Sequence, residues 1–216
     1  MKSFSDGSLA QFLEELGSSA PVPGGGSAAA LAGAMGAALC LMTCRLALSG
    51  KTRNNTPEEK AELERQAGRL SGVVGALARA ADEDAASFDE VMRAMRLPRQ
   101  SDEEKRTRST AIQAAYKVAA RVPLHTASLA AEALSISRAI VSLINPNALS
   151  DVGTGAALLA AAMDGAGLNV RINLSSIKDP AFVDEISQEL SAQRKLALEA
   201  REGVVRFLAG QGLALD

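Results

Sequence analysis

From Leu70 to Met95, apolar residues recur at Leu70, Val74, Leu77, Ala81, Phe88, Val91 and Met95 in alternating steps of four and three, and Asp84 fills the place between Ala81 and Phe88. That spacing predicts one face of a helix, while Asp82, Glu83 and Asp89 fall on other faces. A carboxylate on an apolar face must be paired, hydrogen-bonded or held with a raised pKa, and each of these suits an acid, a base or a partner for a cation. It also suits a buried carboxylate that ties two helices together. A second candidate is the octet Ala20-Pro21-Val22-Pro23-Gly24-Gly25-Gly26-Ser27. Consecutive glycines bring no side chains to a core, so their use lies in backbone geometry, close approach of another group, or free N–H groups at a helix start that favour negative charge. Asn169 and Asn173 stand four apart, on one helical face, and offer amide donors and acceptors. The run Asn145-Pro146-Asn147-Ala148-Leu149-Ser150-Asp151 reads by itself as a helix boundary, because Asn, Ser and Asp are common cap residues.

Other signals lead nowhere. Gly50-Lys51-Thr52 lacks the glycine and preceding strand of a phosphate-binding loop, since Arg45 stands in a helical pattern. Gly24-x-Gly26-x-x-Ala29 formally matches a dinucleotide fingerprint, but Pro21 and Pro23 exclude the strand that should precede it. His125 has no recognisable catalytic partner, and two cysteines with one histidine give no zinc spacing. Cys40 and Cys44 sit about 6 Å apart on one helical face at ~1.5 Å rise per residue. Helical side-chain directions disfavour a disulfide there, so reduced, packed thiols are expected.

The octet, Asp84 with Phe88, Met95-Arg96-Leu97-Pro98, Glu103-Glu104-Lys105, Val122-Pro123-Leu124, Asn145 with Ser150-Asp151, and Asn169-Val170 occur in the order found in a known family. Through them the chain resembles the cyclodeaminase/cyclohydrolase family of folate one-carbon enzymes over nearly its whole length. The resemblance implies an all-α homodimer whose substrate carries one carbon bridging N5 and N10 of tetrahydrofolate, with no metal or redox cofactor. It implies Asp84 and Asp151 as catalytic carboxylates. Substrate contact is implied for Pro23, Gly24, Gly25, Gly26, Ser27, Asn145, Ser150 and Asn169. Lys51 takes the implied role of anchoring the acidic end of the folate, although this chain has Ser49-Gly50-Lys51-Thr52-Arg53-Asn54 where relatives carry a denser lysine run followed by tyrosine. The first expectation is methenyltetrahydrofolate cyclohydrolase activity. Formiminotetrahydrofolate cyclodeaminase activity and a non-catalytic folate-binding or dimerisation module remain as alternatives.

The elements that must position these residues are helices. Ser8 to Leu16 reads as a short amphipathic helix with Leu9, Phe12, Leu13 and Leu16 on one side. Ser27 is suited to cap a helix running to Ser49. Thr56-Pro57 starts a helix to about Arg96, and Ser101 caps another through Val122. Pro123 is expected to restart the chain into a separate helix to about Ile144. Further helices follow from about Ser150, with Val170, Ile172 and Leu174 at its end, and from Asp179-Pro180 to about Leu208. The expectation is a single domain over residues 1–216, an array of seven or eight helices.

Composition narrows the setting. The 216 residues are 47% hydrophobic but only 3% aromatic, with no tryptophan, so the core must come from small and aliphatic side chains with close helix approaches. A net charge of −2 argues against a broad hold on nucleic acid. Ser27 to Cys44 carries no charge and just reaches membrane-spanning length, but its Ala, Gly and Ser content fits a helix buried in a bundle better. Met1 to Leu16 has acids and no apolar run of the secretory kind, which leaves a cytoplasmic protein as the expectation.

Overall fold

The structure is a computed structural model that describes residues 7–50 and 54–214. It is all-helical, with α1 Leu9–Leu16, α2 Gly25–Leu48, α3 Pro57–Met95, α4 Asp102–Ile140, a 3-10 turn Pro146–Ala148, α5 Leu149–Leu174 and α6 Pro180–Gly210. Starts follow local chemistry. Ser8, Thr56 and Ser101 each form a reciprocal capping box, and Asp179 accepts from the Phe182 N–H ahead of the helix that Pro180 opens.

At the centre α2 packs on α3 and α5. α4 spans α3, α5 and α6 on another side, and α6 covers α4 and α5. α2 and α5 run antiparallel: Gly33 lies against Ala162, Gly36 against Gly155 and Leu159, and Ala29 against Gly165. At the tightest point a Cβ on Gly36 would fall 2.7 Å from the Gly155 carbonyl oxygen, so these backbones touch and only glycine fits. Close approach replaces bulk in a core poor in aromatics, as the composition implies. Cys40 and Cys44 are buried free thiols, with Cys40 Sγ 3.0 Å from Ser137 Oγ. Burial pushes them up to about 11 and about 12, so they are inert packing groups.

Two sequence expectations are corrected. The described residues form six α-helices rather than seven or eight, because Pro123 does not divide α4. Proline removes the N–H that would bond the carbonyl four residues earlier, and a buried carbonyl left unpaired is costly. Here that carbonyl, Ala119 O, receives the Asn173 side-chain amide from α5 at 2.8 Å, so the helix continues. Ser27 is not a cap either: Gly24 holds that place, and Ser27 is the third residue of α2, fully buried. The apolar side of α1 buries only Phe12, while Leu9 and Leu13 remain 64% and 56% exposed because the helix has few neighbours. α2 is long and apolar enough to cross a membrane by length and composition, and in this fold its small-residue face is covered by α3 and α5.

Candidate active site

The Pro/Gly turn, α3, α4 and the C-terminal end of α5 enclose a cavity of about 450 Å³. Its size lies within the range of small-molecule sites, roughly 300–1,000 Å³. Gly24, Gly25 and Gly26 form one wall, Asp84, Ser87, Phe88 and Val91 a second, Tyr116 and Ala119 a third, and Asn169, Ile172 and Asn173 a fourth. The mixture is apolar surface with a few convergent polar groups, as in sites that bind a flat organic molecule.

Among the described residues, Asp84 is the one carboxylate on this lining. Its carboxyl group presses against the backbone at the start of α2: a Cβ added to Gly26 would lie 2.1 Å from Oδ1 and 2.5 Å from Cγ. Glycine at position 26 is therefore a steric requirement of the carboxylate. The glycine run makes this approach possible, and the free N–H groups and dipole of the helix start favour a negative charge there. Burial nevertheless raises the Asp84 pKa above the ordinary carboxylate value, opposed by hydrogen bonds from the Ser27 hydroxyl and backbone N–H. Removal from water outweighs those donors.

Ser27 Oγ lies 3.1 Å from Asp84 Oδ2 and 2.9 Å from the Ala81 carbonyl oxygen. A hydroxyl has one hydrogen and can both donate and accept. With Asp84 ionised, the hydroxyl donates to the carboxylate. With Asp84 protonated, the acid donates to Ser27 Oγ, whose own hydrogen turns to Ala81 O. Both protonation states are thus accommodated by rotating one O–H.

Asn169 packs directly against Gly25 on the lining, its Nδ2 3.3 Å from where a Cβ would be. That amide donates to Gly165 O at 2.9 Å, and Asn173 Nδ2 donates to Ala119 O at 2.8 Å and to Asn169 O at 2.9 Å. The model of the formiminotransferase-cyclodeaminase family matches residues 8–192 of the chain.

The chain belongs to this family.

It is 39% identical over 180 residues to the methenyltetrahydrofolate cyclohydrolase of Methylorubrum extorquens, an alignment covering 83% of this chain and 85% of that protein. It is 32% identical over 201 residues to the formimidoyltransferase-cyclodeaminase of Gallus gallus, covering 93% of this chain but only 36% of that longer protein. The crystal structure of formiminotetrahydrofolate cyclodeaminase from Thermotoga maritima superposes with a TM-score of 0.85 at 26% identity, covering 96% of this chain and 98% of that one.

Of the residues singled out through the family resemblance, the structure gathers Gly24, Gly25, Gly26, Asp84 and Asn169 around the cavity. Ser27 is bonded to Asp84, and Pro23 adjoins the lining at Val22 and Gly24. Asn145, Ser150 and Asp151 are elsewhere. They sit at the opposite end of α5, about 27 Å along the helix from Asn169 at ~1.5 Å per residue. There Asn145 is a turn residue whose side chain accepts from the Asn147 N–H at 3.0 Å, Ser150 is exposed and Asp151 is half-buried. Lys51 lies outside the described residues; the chain leaves α2 at its far end, roughly 35 Å from Gly25 by the same rise. His125 is exposed on α4. Tyr116 and Ser87 were not marked by the sequence as lining residues, and Asn173 was marked only as the partner of Asn169 on one helical face. The usable signal for Asn173 was a proline within a helical pattern, because the orphaned carbonyl requires a donor from another element.

Proposed function

We propose that the protein is a methenyltetrahydrofolate cyclohydrolase, converting 5,10-methenyltetrahydrofolate and water to 10-formyltetrahydrofolate, with Asp84 as the proton-transfer group. The observation that carries this reading is the likeness to the M. extorquens cyclohydrolase over 83% of the chain, joined to a carboxylate held on the cavity wall by the glycine turn. The bridge carbon of the substrate is an electrophilic amidinium. Ionised Asp84 offsets its positive charge and takes a proton from water as the oxygen adds to carbon. The protonated acid then gives that proton to N5 as the N5–carbon bond breaks. The added hydroxyl becomes the formyl oxygen and releases its proton to solvent, which balances the reaction. Such a group works best with a pKa brought towards neutrality, the direction in which burial moves Asp84. No metal or redox cofactor is needed in these steps. The cyclodeaminase alternative uses the same groups in related order: N10 attacks a formimino carbon and the acid helps ammonia leave.

We further propose a homodimer built on the exposed faces of α2 and α5. Met35, Met42 and Leu46 on α2 and Leu168 and Ile172 on α5 are exposed large apolar side chains, and α5 carries no charge between Asp151 and Asp164. Exposed apolar side chains on two neighbouring helices suit an interface, with Asp164, Arg171 and Arg45 at the same surface. Because α2 and α5 are antiparallel, a two-fold axis across the middle of this face would set the Asp151 end of one subunit beside the cavity end of the other. That arrangement would reunite the family's site residues, which one chain separates.

The deciding experiment follows loss of methenyl absorbance with purified protein, after subtracting uncatalysed hydrolysis, beside a parallel assay for methenyl formation and ammonia release from 5-formiminotetrahydrofolate. Turnover of the methenyl substrate is expected. Turnover of the formimino substrate alone would favour the cyclodeaminase, and saturable binding without turnover the non-catalytic module.

A further inference from the structure

The proline-bearing helix α4 and the cavity share one side chain. Pro123 leaves Ala119 O without its helical partner, and Asn173 Nδ2 supplies one. The second Nδ2 hydrogen goes to Asn169 O, so both donors of the Asn173 amide are committed to backbone carbonyls. One turn earlier, Asn169 Nδ2 is directed to Gly165 O. Among the described residues no group donates to either amide oxygen, neither oxygen is sealed in the interior, and both residues line the cavity. The orientation of each amide is thus set by its own bonds, and what remains for a ligand is a pair of acceptors on one helical face. Asp84 has a different set of partners, Ser27 and the start of α2, and the Phe88 and Val91 side chains add apolar surface to the same cavity.

We propose that Pro123 and Asn173 act together as a positioning device that presents the Asn173 and Asn169 amide oxygens to the donor edge of the pterin ring, its 2-amino group and N3–H. The assignment rests on the folate reading above. It leaves Asp84 free for the one-carbon bridge, and it gives the proline a task that helix stability alone does not explain. Two neighbouring neutral acceptors match a ring edge that carries two N–H donors. They do not match an edge in which N3 is itself an acceptor, because two acceptors then face each other.

The test uses Pro123→Ala, alone and combined with Asn173→Leu, in the full-length protein. Alanine restores an N–H to Ala119 O, so the double variant loses the Asn173 amide without leaving a buried carbonyl unpaired. With methenyltetrahydrofolate, KM of the double variant should rise about tenfold, more than kcat falls, the scale of one or two lost neutral hydrogen bonds. Pro123→Ala alone should raise KM a few-fold without lowering the thermal midpoint, since its new N–H competes for Ala119 O. Unchanged KM in the folded double variant of an active protein would overturn this inference and leave the functional reading intact. Wild-type protein that turns over neither folate would overturn both. A second measurement needs no variant: folic acid should inhibit wild-type turnover about ten times better than its 4-amino-4-deoxy analogue, whose N3 carries no hydrogen. Equal inhibition, or inhibition by neither, overturns the assignment.

Discussion

The two ends of the antiparallel α2–α5 pair are built from similar residue types and differ in what they enclose. At one end the start of α2 meets the last turns of α5, and a polar pair, Asp84 and Asn169, faces a cavity floored by glycine backbone. At the other, Asn145, Ser150 and Asp151 gather at the start of α5, where Asn145 makes a turn and none of the three lines that cavity. Both carboxylates are half-buried, and their partners separate them. Asp84 is desolvated beside Ser27 and has its pKa raised, whereas no hydrogen bond or ion pair joins Asp151 to a described residue. The same side chain becomes reactive where the packing removes water from it while leaving one face open to a ligand.

The largest expected effect is at the cavity end. Asp84→Asn keeps the size of the side chain but removes the charge and replaces one acceptor oxygen with an amide donor, and turnover should fall about 100-fold or more, in line with the ~10² to 10⁴ contribution of positioned acid–base groups. Steady-state kinetics on folded protein checks this, and near-normal turnover would reduce Asp84 to a structural tie. Asp151→Asn sharpens the comparison. In a dimer that joins opposite ends it also lowers turnover, and mixing it with Asp84→Asn under subunit exchange should restore about a quarter of wild-type activity, because half of the dimers then hold one intact site. Absence of recovery after verified exchange would remove the shared site.

Gly26→Ala is next in size. Its Cβ would collide with the Asp84 carboxyl, so that side chain must move, and turnover should drop about tenfold or more while circular dichroism still reports helix. The equivalent change at Gly24 meets only the Pro21 carbonyl oxygen at ordinary contact distance, 3.8 Å, and should be mild. Comparing the two separates a steric requirement from general helix-start geometry.

The smallest effect is a shift in pH dependence. Turnover should fall on the acid side as Asp84 is protonated. Ser27→Ala removes one of the donors that stabilise the ionised form, so this limb should move to higher pH. Stability carries the opposite sign. Because the folded state holds the Asp84 proton more tightly than the unfolded chain, its stability contribution declines as pH rises from the ordinary carboxylate pKa through the raised folded value. Asp84→Asn should therefore raise the thermal midpoint at neutral pH and lose that advantage in acid. A pH-independent difference would count against burial as the cause.

Much of the fold was legible because its signals are local. Thr56-Pro57, Ser101 with Glu104, and Asp179-Pro180 mark helix starts through bonds made within one turn, and all open helices in the structure. Asp84 was legible as well, since a break in an apolar stripe requires no knowledge of neighbouring elements. Pro123 misled for a physical reason: whether a proline ends a helix depends on whether another element supplies a donor to the orphaned carbonyl, and Asn173 does so from 54 residues away in sequence. Ser27 was misplaced by a similar cause. Cap chemistry and a bond to a distant carboxylate use the same hydroxyl, and only packing decides between them.

By itself, then, the sequence determined the helical class, most helix starts, the small-residue interfaces and the family, since these follow from periodicity, capping chemistry and the order of motifs. Tertiary structure decided which candidates share a site. Helices α2 and α5 are each tens of ångströms long, so motifs at their two ends are separated by the rigid rise of the helix, and antiparallel packing brings the start of one beside the finish of the other. It also decided that Asp84 reaches the glycine backbone, because that contact requires α3 to lie against the first turn of α2 with no side chain between them.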